Sequence, residues 1–254
     1  MYPVLFRLGS FDITSFGAMV AVGAVLGILL LRSEMVRSGL DGGHGIDAAL
    51  VGVLGGLAGA KLLYVIEHWA EPLSDTLLSR GGMSWFGGLT GGVLAGLAMV
   101  AYARLPLMKV LSAAAPALAL GQAIGRIGCF LVGDDYGRAT SLPWGIAFPQ
   151  GLPPTTVRVH PTQLYEFTLL IGIAGILVWL RRRGTADRVV VAWYLVLAGG
   201  MRFLIEIVRV NQVVVAGLTT AQLFSVALVL IGVWLVVKKP SESRARPVAR
   251  KAKR

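Results

Sequence analysis

Three polar segments interrupt an otherwise apolar chain, and their residue types suit recognition of an anion. The first, residues 121–137 (GQAIGRIGCFLVGDDYG), places Arg126, Asp134 and Asp135 among repeated glycines directly after an apolar run. The second is His160-Pro161-Thr162-Gln163-Leu164-Tyr165-Glu166. Pro161 and Thr162 are ordinary helix-start residues, but His160, Gln163, Tyr165 and Glu166 are more polar than a helix start requires. The third holds Arg202, Glu206 and Arg209 at i, i+4 and i+7, one face of a helix. An Arg202–Glu206 ion pair lowers the cost of burying both groups and leaves Arg209 near the helix end. Such a pair can also serve packing alone, although buried pairs stabilise poorly compared with apolar contacts. Arg126 as a second cation predicts a locally positive cavity. A phosphate suits it, because guanidinium forks match phosphate oxygens bidentately.

The elements that must position these residues are membrane helices. Of 254 residues, 56% are hydrophobic and 15% charged, outside the range of ordinary soluble domains. Apolar runs near 14–31, 46–66, 86–103, 107–125, 163–180, 189–208 and 217–237 are long enough to span a bilayer. No basic segment precedes the first, so it reads as a span and not as a cleaved signal. The expected fold is an all-α polytopic membrane protein of about seven transmembrane helices. One domain covers 1–237, and 238–254 forms a basic, disordered cytoplasmic tail. A charge at the bilayer centre costs on the order of 2.5–3.5 kcal/mol on insertion scales. The three polar segments must therefore face a protein interior, water or a polar ligand.

The net charge of +11 is distributed in a way that argues against a nucleic-acid partner. Sixteen of the 24 lysines and arginines fall on one side: Arg32, Arg37, Arg104, Lys109, Arg181, Arg182, Arg183, Arg188 and eight tail residues from Lys238 to Arg254. This bias predicts an outer N-terminus and a cytoplasmic C-terminus, with the tail resting on anionic headgroups. A single cysteine, Cys129, excludes an internal disulfide, and the histidines His44, His68 and His160 have no metal-ligand spacing. Neither metal nor cofactor is expected. Glycine pairs 52/56, 55/59, 88/92 and 92/96 have the small-xxx-small spacing of close helix packing. The segment between Gly81-Gly82 and Gly87-Gly88 reads as a re-entrant turn lining a cavity.

These polar elements together resemble the prolipoprotein diacylglyceryl transferase family. Gly125-Arg126-Ile127-Gly128-Cys129-Phe130 with Gly137 is similar to its GRxGNFxNxExxG signature, and 160–166 to its HPxQLYE motif. Arg202, Phe203, Glu206 and Arg209 resemble RFxxExxR, and residues 81–92 resemble GGMxxHGGLxGG. Weaker likenesses are Ser15-Phe16-Gly17, Gly59-Ala60-Lys61 and Gly217-Leu218-Thr219 with Gln222. Cys129 stands at the family's asparagine, Phe86 at its histidine, Phe16 at its tyrosine and Asp134 at its glutamate.

The resemblance implies a multi-pass transferase of the bacterial cytoplasmic (inner) membrane. Such an enzyme moves diacylglyceryl from phosphatidylglycerol to the lipobox cysteine of a prolipoprotein signal peptide, releasing glycerol phosphate. It implies catalytic roles for Arg202, Glu206, Asp134 and His160. Arg126, Gly137, Cys129, Phe86, Phe16, Gln163, Tyr165, Glu166 and Arg209 would line the substrate site. Two other readings fit the same residues: a lipid-modifying paralogue with a different acceptor, and a non-catalytic protein that binds anionic phospholipid.

Overall fold

The computed structural model describes residues 2–9, 11–78 and 82–238. Among the described residues, seven helices are long and apolar enough to cross a membrane: α1 (Ser15–Arg37), α2 (Gly42–Glu67), α4 (Trp85–Tyr102), α5 (Leu107–Val132), α6 (Thr162–Arg182), α7 (Asp187–Glu206) and α8 (Thr220–Val237). A short helix α3 (Leu73–Leu78) follows α2. At 1.5 Å per residue the long helices run roughly 27–39 Å, which matches a hydrocarbon core of about 30 Å. Their outer faces carry exposed leucines such as Leu54, Leu94 and Leu230. That is the reverse of a water-soluble surface and the arrangement lipid requires. Three two-stranded hairpins cap the ends: β1 (Val4–Leu8) with β2 (Phe11–Thr14), β3 (Ile146–Phe148) with β4 (Thr155–Val159), and β5 (Val213–Val215) with β6 (Leu218–Thr219).

Close packing follows the small residues. On α2, Gly55 and Gly59 face Gly87 and Gly91 of α4 so closely that a Cβ on Gly59 would lie 2.9 Å from the Gly91 Cα. The expected glycine seam is thus a backbone-to-backbone contact. Gly23 of α1 meets Gly121 of α5 the same way, its added Cβ falling 2.9 Å from the Gly121 carbonyl. Helices α5, α6 and α7 share the main core, built from Ala115, Ala119, Ala123, Leu170, Leu177, Val190 and Met201. Helix α8 packs on α7, where Gly199 approaches the Ser225 carbonyl and Gly232 approaches Val196.

Several expectations are corrected in detail. Helix α5 continues to Val132, so Gly121, Gly125 and Gly128 are helical and only Gly133 ends the run, with φ 78°. The chain needs a left-handed residue there, and glycine adopts it without strain. Helix α7 stops at Glu206, so Arg209 lies beyond the regular helix. Trp85 and Phe86 open α4 and do not belong to a re-entrant turn; residues 79–81 of that segment lie outside the described residues. The tail after Lys238 does so as well.

One strong element went unforeseen. At the end of the bundle opposite the polar segments, Arg181 is buried and pairs with Glu34 at 2.6 Å. It also donates to Ser38 Oγ at 2.7 Å, to the Glu34 carbonyl at 3.1 Å and to Ser112 Oγ. This lock ties the ends of α1, α5 and α6 together. Arg181 was legible in the sequence only as one of several membrane-flanking cations.

Candidate active site

The three polar segments converge because antiparallel helices bring the ends of α5 and α7 to the start of α6. Gly133 turns the chain out of α5, and its carbonyl accepts from Leu152 N–H at 3.0 Å. Gly137 then passes against the α6 start. Its N–H donates to the His160 carbonyl at 2.9 Å, and an added Cβ would lie 2.6 Å from the Val208 carbonyl. Thr162 Oγ1 donates to the Asp135 carbonyl at 2.6 Å, and Gln163 Nε2 donates to the Asp134 carbonyl. These bonds hold the 133–137 turn on the first turn of α6 and place both aspartates beside the arginines.

Three arginines and three carboxylates make one network. Arg126 Nε sits 2.7 Å from Glu166 Oε2, and Arg126 Nη1 sits 2.9 Å from Asp135 Oδ2. Arg209 Nη2 reaches Asp135 Oδ1 at 2.5 Å, so Asp135 bridges two guanidinium groups. Arg202 Nη2 pairs with Glu206 Oε2 at 2.9 Å, realising the predicted i, i+4 pair. Glu166 is the hub: its Oε1 lies 3.6 Å from both Arg202 Nη1 and Arg209 Nη1. Glu166 is 2% exposed, whereas the Asp135 side chain is 42% exposed. Glu206 is oriented from behind by Asn211 Nδ2 at 2.6 Å and Thr219 Oγ1 at 2.8 Å.

The predicted excess of positive charge is therefore balanced by carboxylates. Burial in a low dielectric makes unpaired guanidinium costly, so Glu166 and Asp135 neutralise what Arg126 and Arg209 bring. The balance is not a saturated one. Arg202 Nη1 and Glu166 Oε1, 3.6 Å apart, are buried without a hydrogen-bond partner among the described residues. An unmade hydrogen bond on a buried group costs about 1–3 kcal/mol. Arg202 Nη1 thus retains a donor for an incoming oxygen.

The remaining predicted residues divide into two sets. Cys129 is buried beside Arg126, with Nη1 to Sγ at 3.8 Å, and its Sγ lies within 4.8 Å of an Asp134 carboxylate oxygen. Burial, then the neighbouring Asp135 charge, pushes the Asp134 carboxyl above the usual carboxylate range. For Asp135 burial acts in the same direction, but Arg209 and Arg126 outweigh it and hold the group below that range. His160 Nδ1 lies 3.3 Å from the Tyr165 hydroxyl, which also accepts from Trp144 Nε1 at 2.8 Å. Phe16 packs on α5 at Gly128, next to Cys129. Phe86 is half-exposed against Trp85, which meets Phe224 of α8.

Cys129, Asp134 and Asp135 each offer an atom within 4.8 Å of the others, close enough to hold a metal ion. Both Asp135 oxygens are spent on arginines, so a cation there would meet guanidinium charge. Sequence reasoning missed Asn211, the hold of Thr219 on Glu206 and the bridging role of Asp135. A polar residue two positions after Arg209, and the Thr219/Gln222 spacing of a capping box, were the available signals.

A profile of the family described as prolipoprotein diacylglyceryl transferase matches residues 3–238. The chain is similar to proteins named phosphatidylglycerol--prolipoprotein diacylglyceryl transferase in several bacteria. That of Clostridium tetani is 31% identical over 240 residues, covering 92% of this chain and 96% of the relative. That of Clostridioides difficile is 33% identical, covering 92% and 93%. That of Bordetella bronchiseptica is 34% identical, also covering 92% and 93%.

Proposed function

The chain belongs to the prolipoprotein diacylglyceryl transferase family, and from that premise we infer that it performs the transfer for which its relatives are named. It is a multi-pass membrane enzyme that moves diacylglyceryl from phosphatidylglycerol to a prolipoprotein. The acceptor is the lipobox cysteine thiol, the membrane is the bacterial cytoplasmic membrane, and the site end of the bundle faces outward. The positive-inside distribution supports that orientation.

In chemical terms, the acceptor thiolate attacks the glycerol carbon esterified to phosphate. A C–S bond forms, the C–O bond breaks, and glycerol phosphate leaves with the bonding electron pair. The phosphate oxygens gain negative charge as the bond breaks, so donors aimed at them stabilise the transition state more than the ground state. Arg202 Nη1 is the unspent donor, and this observation carries the reading. Glu206, held by Asn211 and Thr219, fixes the Arg202 orientation. Asp135 occupies Arg126 and Arg209 as a carboxylate stand-in, and the headgroup phosphate replaces it there. Asp134 takes the thiol proton; its raised pKa brings a carboxylate closer to the working pH of a general base. His160 positions Tyr165.

The deciding experiment incubates purified protein with a lipobox peptide and isotopically labelled phosphatidylglycerol, followed by mass spectrometry. A mass gain of one labelled diacylglyceryl on the cysteine is expected. Bound phosphatidylglycerol without any peptide product would refute transfer and leave a lipid-binding protein.

A further inference from the structure

The end of the bundle opposite the arginine network contains an open polar cavity of about 230 Å³, whose lining includes Arg37, Ser38, Lys109, Arg181, Thr185 and Asp187. Several water volumes fit there, since one water accounts for roughly 30 Å³ of the liquid. We propose that this cavity is a second binding site for a phosphate-bearing anion, occupied by the headgroup of an anionic phospholipid.

Charge and placement carry the proposal. Arg37 and Lys109 are largely exposed, and the Lys109 ammonium lies 3.5 Å from the Ser38 carbonyl at the rim. Arg181 forms the floor, and its guanidinium is held by Glu34, Ser38 and Ser112. Its position is consequently fixed whether or not a ligand is present. The acidic groups of the floor and lining are accounted for: Glu34 lies behind the floor, paired with Arg181 at 2.6 Å and Arg37 at 3.5 Å, while the exposed Asp41 caps α2. Asp187 sits 3.7 Å from Arg181. Lys109 has no carboxylate within ion-pair distance among the described residues. The adjoining connection adds Arg182, Arg183 and Arg188.

Three helix N-termini open at this end; that of α2 is capped by Asp41, whereas those of α5 and α7 follow residues whose side chains cannot cap. Pro106 precedes α5 and Ala186 precedes α7. Their N–H groups add partial positive charge. The level in the membrane also fits a lipid headgroup. Arg183 stacks on Trp179 at 4.1 Å, and Lys238 on Trp234 at 4.6 Å, in the manner of aromatic residues at a bilayer interface. Basic pockets between helix ends at that level recognise anionic headgroups. Inorganic phosphate offers the same chemistry without the acyl chains.

The test uses the full chain in phosphatidylcholine nanodiscs doped with phosphatidylglycerol, with native mass spectrometry to count retained anionic lipid. Wild type should hold one phosphatidylglycerol that survives Arg126→Ala, a substitution confined to the other end. Lys109→Glu should weaken retention of that lipid about tenfold or more. Lys109→Gln should give a smaller loss in the same direction. Both variants should keep the thermal midpoint and the transferase turnover of wild type. Unchanged retention in Lys109→Glu overturns the proposal, as does simultaneous loss of the lipid at the arginine network. Persistence of the lipid in millimolar inorganic phosphate supports the headgroup as occupant, whereas its displacement there overturns that assignment in favour of free phosphate.

Discussion

Replacing Asp135 by asparagine should weaken the fold while tightening the grip on phosphate. Asp135 bridges Arg126 at 2.9 Å and Arg209 at 2.5 Å, so an incoming phosphate must displace it. Its side chain is 42% exposed, and solvent screening limits each such pair to about 0.2–1 kcal/mol. Two pairs give roughly 0.5–2 kcal/mol of lost stability, or about 1–8 °C in melting temperature for a chain of this size. Removing the competitor returns the same free energy to the ligand, roughly a two- to thirtyfold lower Kd for the headgroup. Calorimetry with a short-chain phosphatidylglycerol in neutral detergent measures the second quantity, and thermal unfolding the first. The pH dependence adds a sign. The two arginines hold the Asp135 pKa below its ordinary value, so its stabilisation is complete above the ordinary carboxylate pKa. That stabilisation disappears as pH falls through the lowered folded value, and the differences between variant and wild type should close together. Weaker phosphate binding by Asp135→Asn would show that the carboxylate assists the ligand instead of standing in for it, and a gap that persists in acid would show that its charge is not the cause.

Three further outcomes follow from the same geometry. Gly137→Ala should cost about 1–3 kcal/mol by overpacking, since its Cβ would lie 2.6 Å from the Val208 carbonyl and 2.9 Å from His160 Cβ; chemical denaturation and transferase assay should fall together. Asp134→Asn should lower kcat by about 10²–10⁴-fold and remove the acid limb of the pH–rate profile, a limb that in wild type lies above the usual carboxylate range because burial raises the Asp134 pKa. Glu34→Ala should destabilise by about 3–5 kcal/mol, because it strands the buried Arg181, yet the folded fraction should retain wild-type KM for phosphatidylglycerol.

Much of the architecture was legible in the chain because lipid imposes a simple rule: long apolar runs must be helices that satisfy their own backbone. All seven spans appear, and the glycine spacings at 52/56 and 88/92 become the α2–α4 contact. Boundaries were harder to read. Arg126 and Cys129 look like an interruption in the sequence but continue α5, because neighbouring carboxylates meet the charge inside the bundle.

Residue order along the chain is enough to specify a seven-helix membrane protein, its family likeness, and the identity of the arginines that could meet a phosphate. Local residue types and spacings carry that information, since helix period and burial cost act within a single segment. Tertiary structure alone decided how those charges are balanced. Asp135 and Glu166 lie nine and forty positions from Arg126 along the chain, yet both pair with the same guanidinium. Ion pairing depends on distances of a few ångströms in a low dielectric, and only the packing of α5, α6 and α7 sets those distances. The same packing leaves Arg202 Nη1 unspent and locks Glu34 to Arg181, 147 residues apart, at the other end of the bundle.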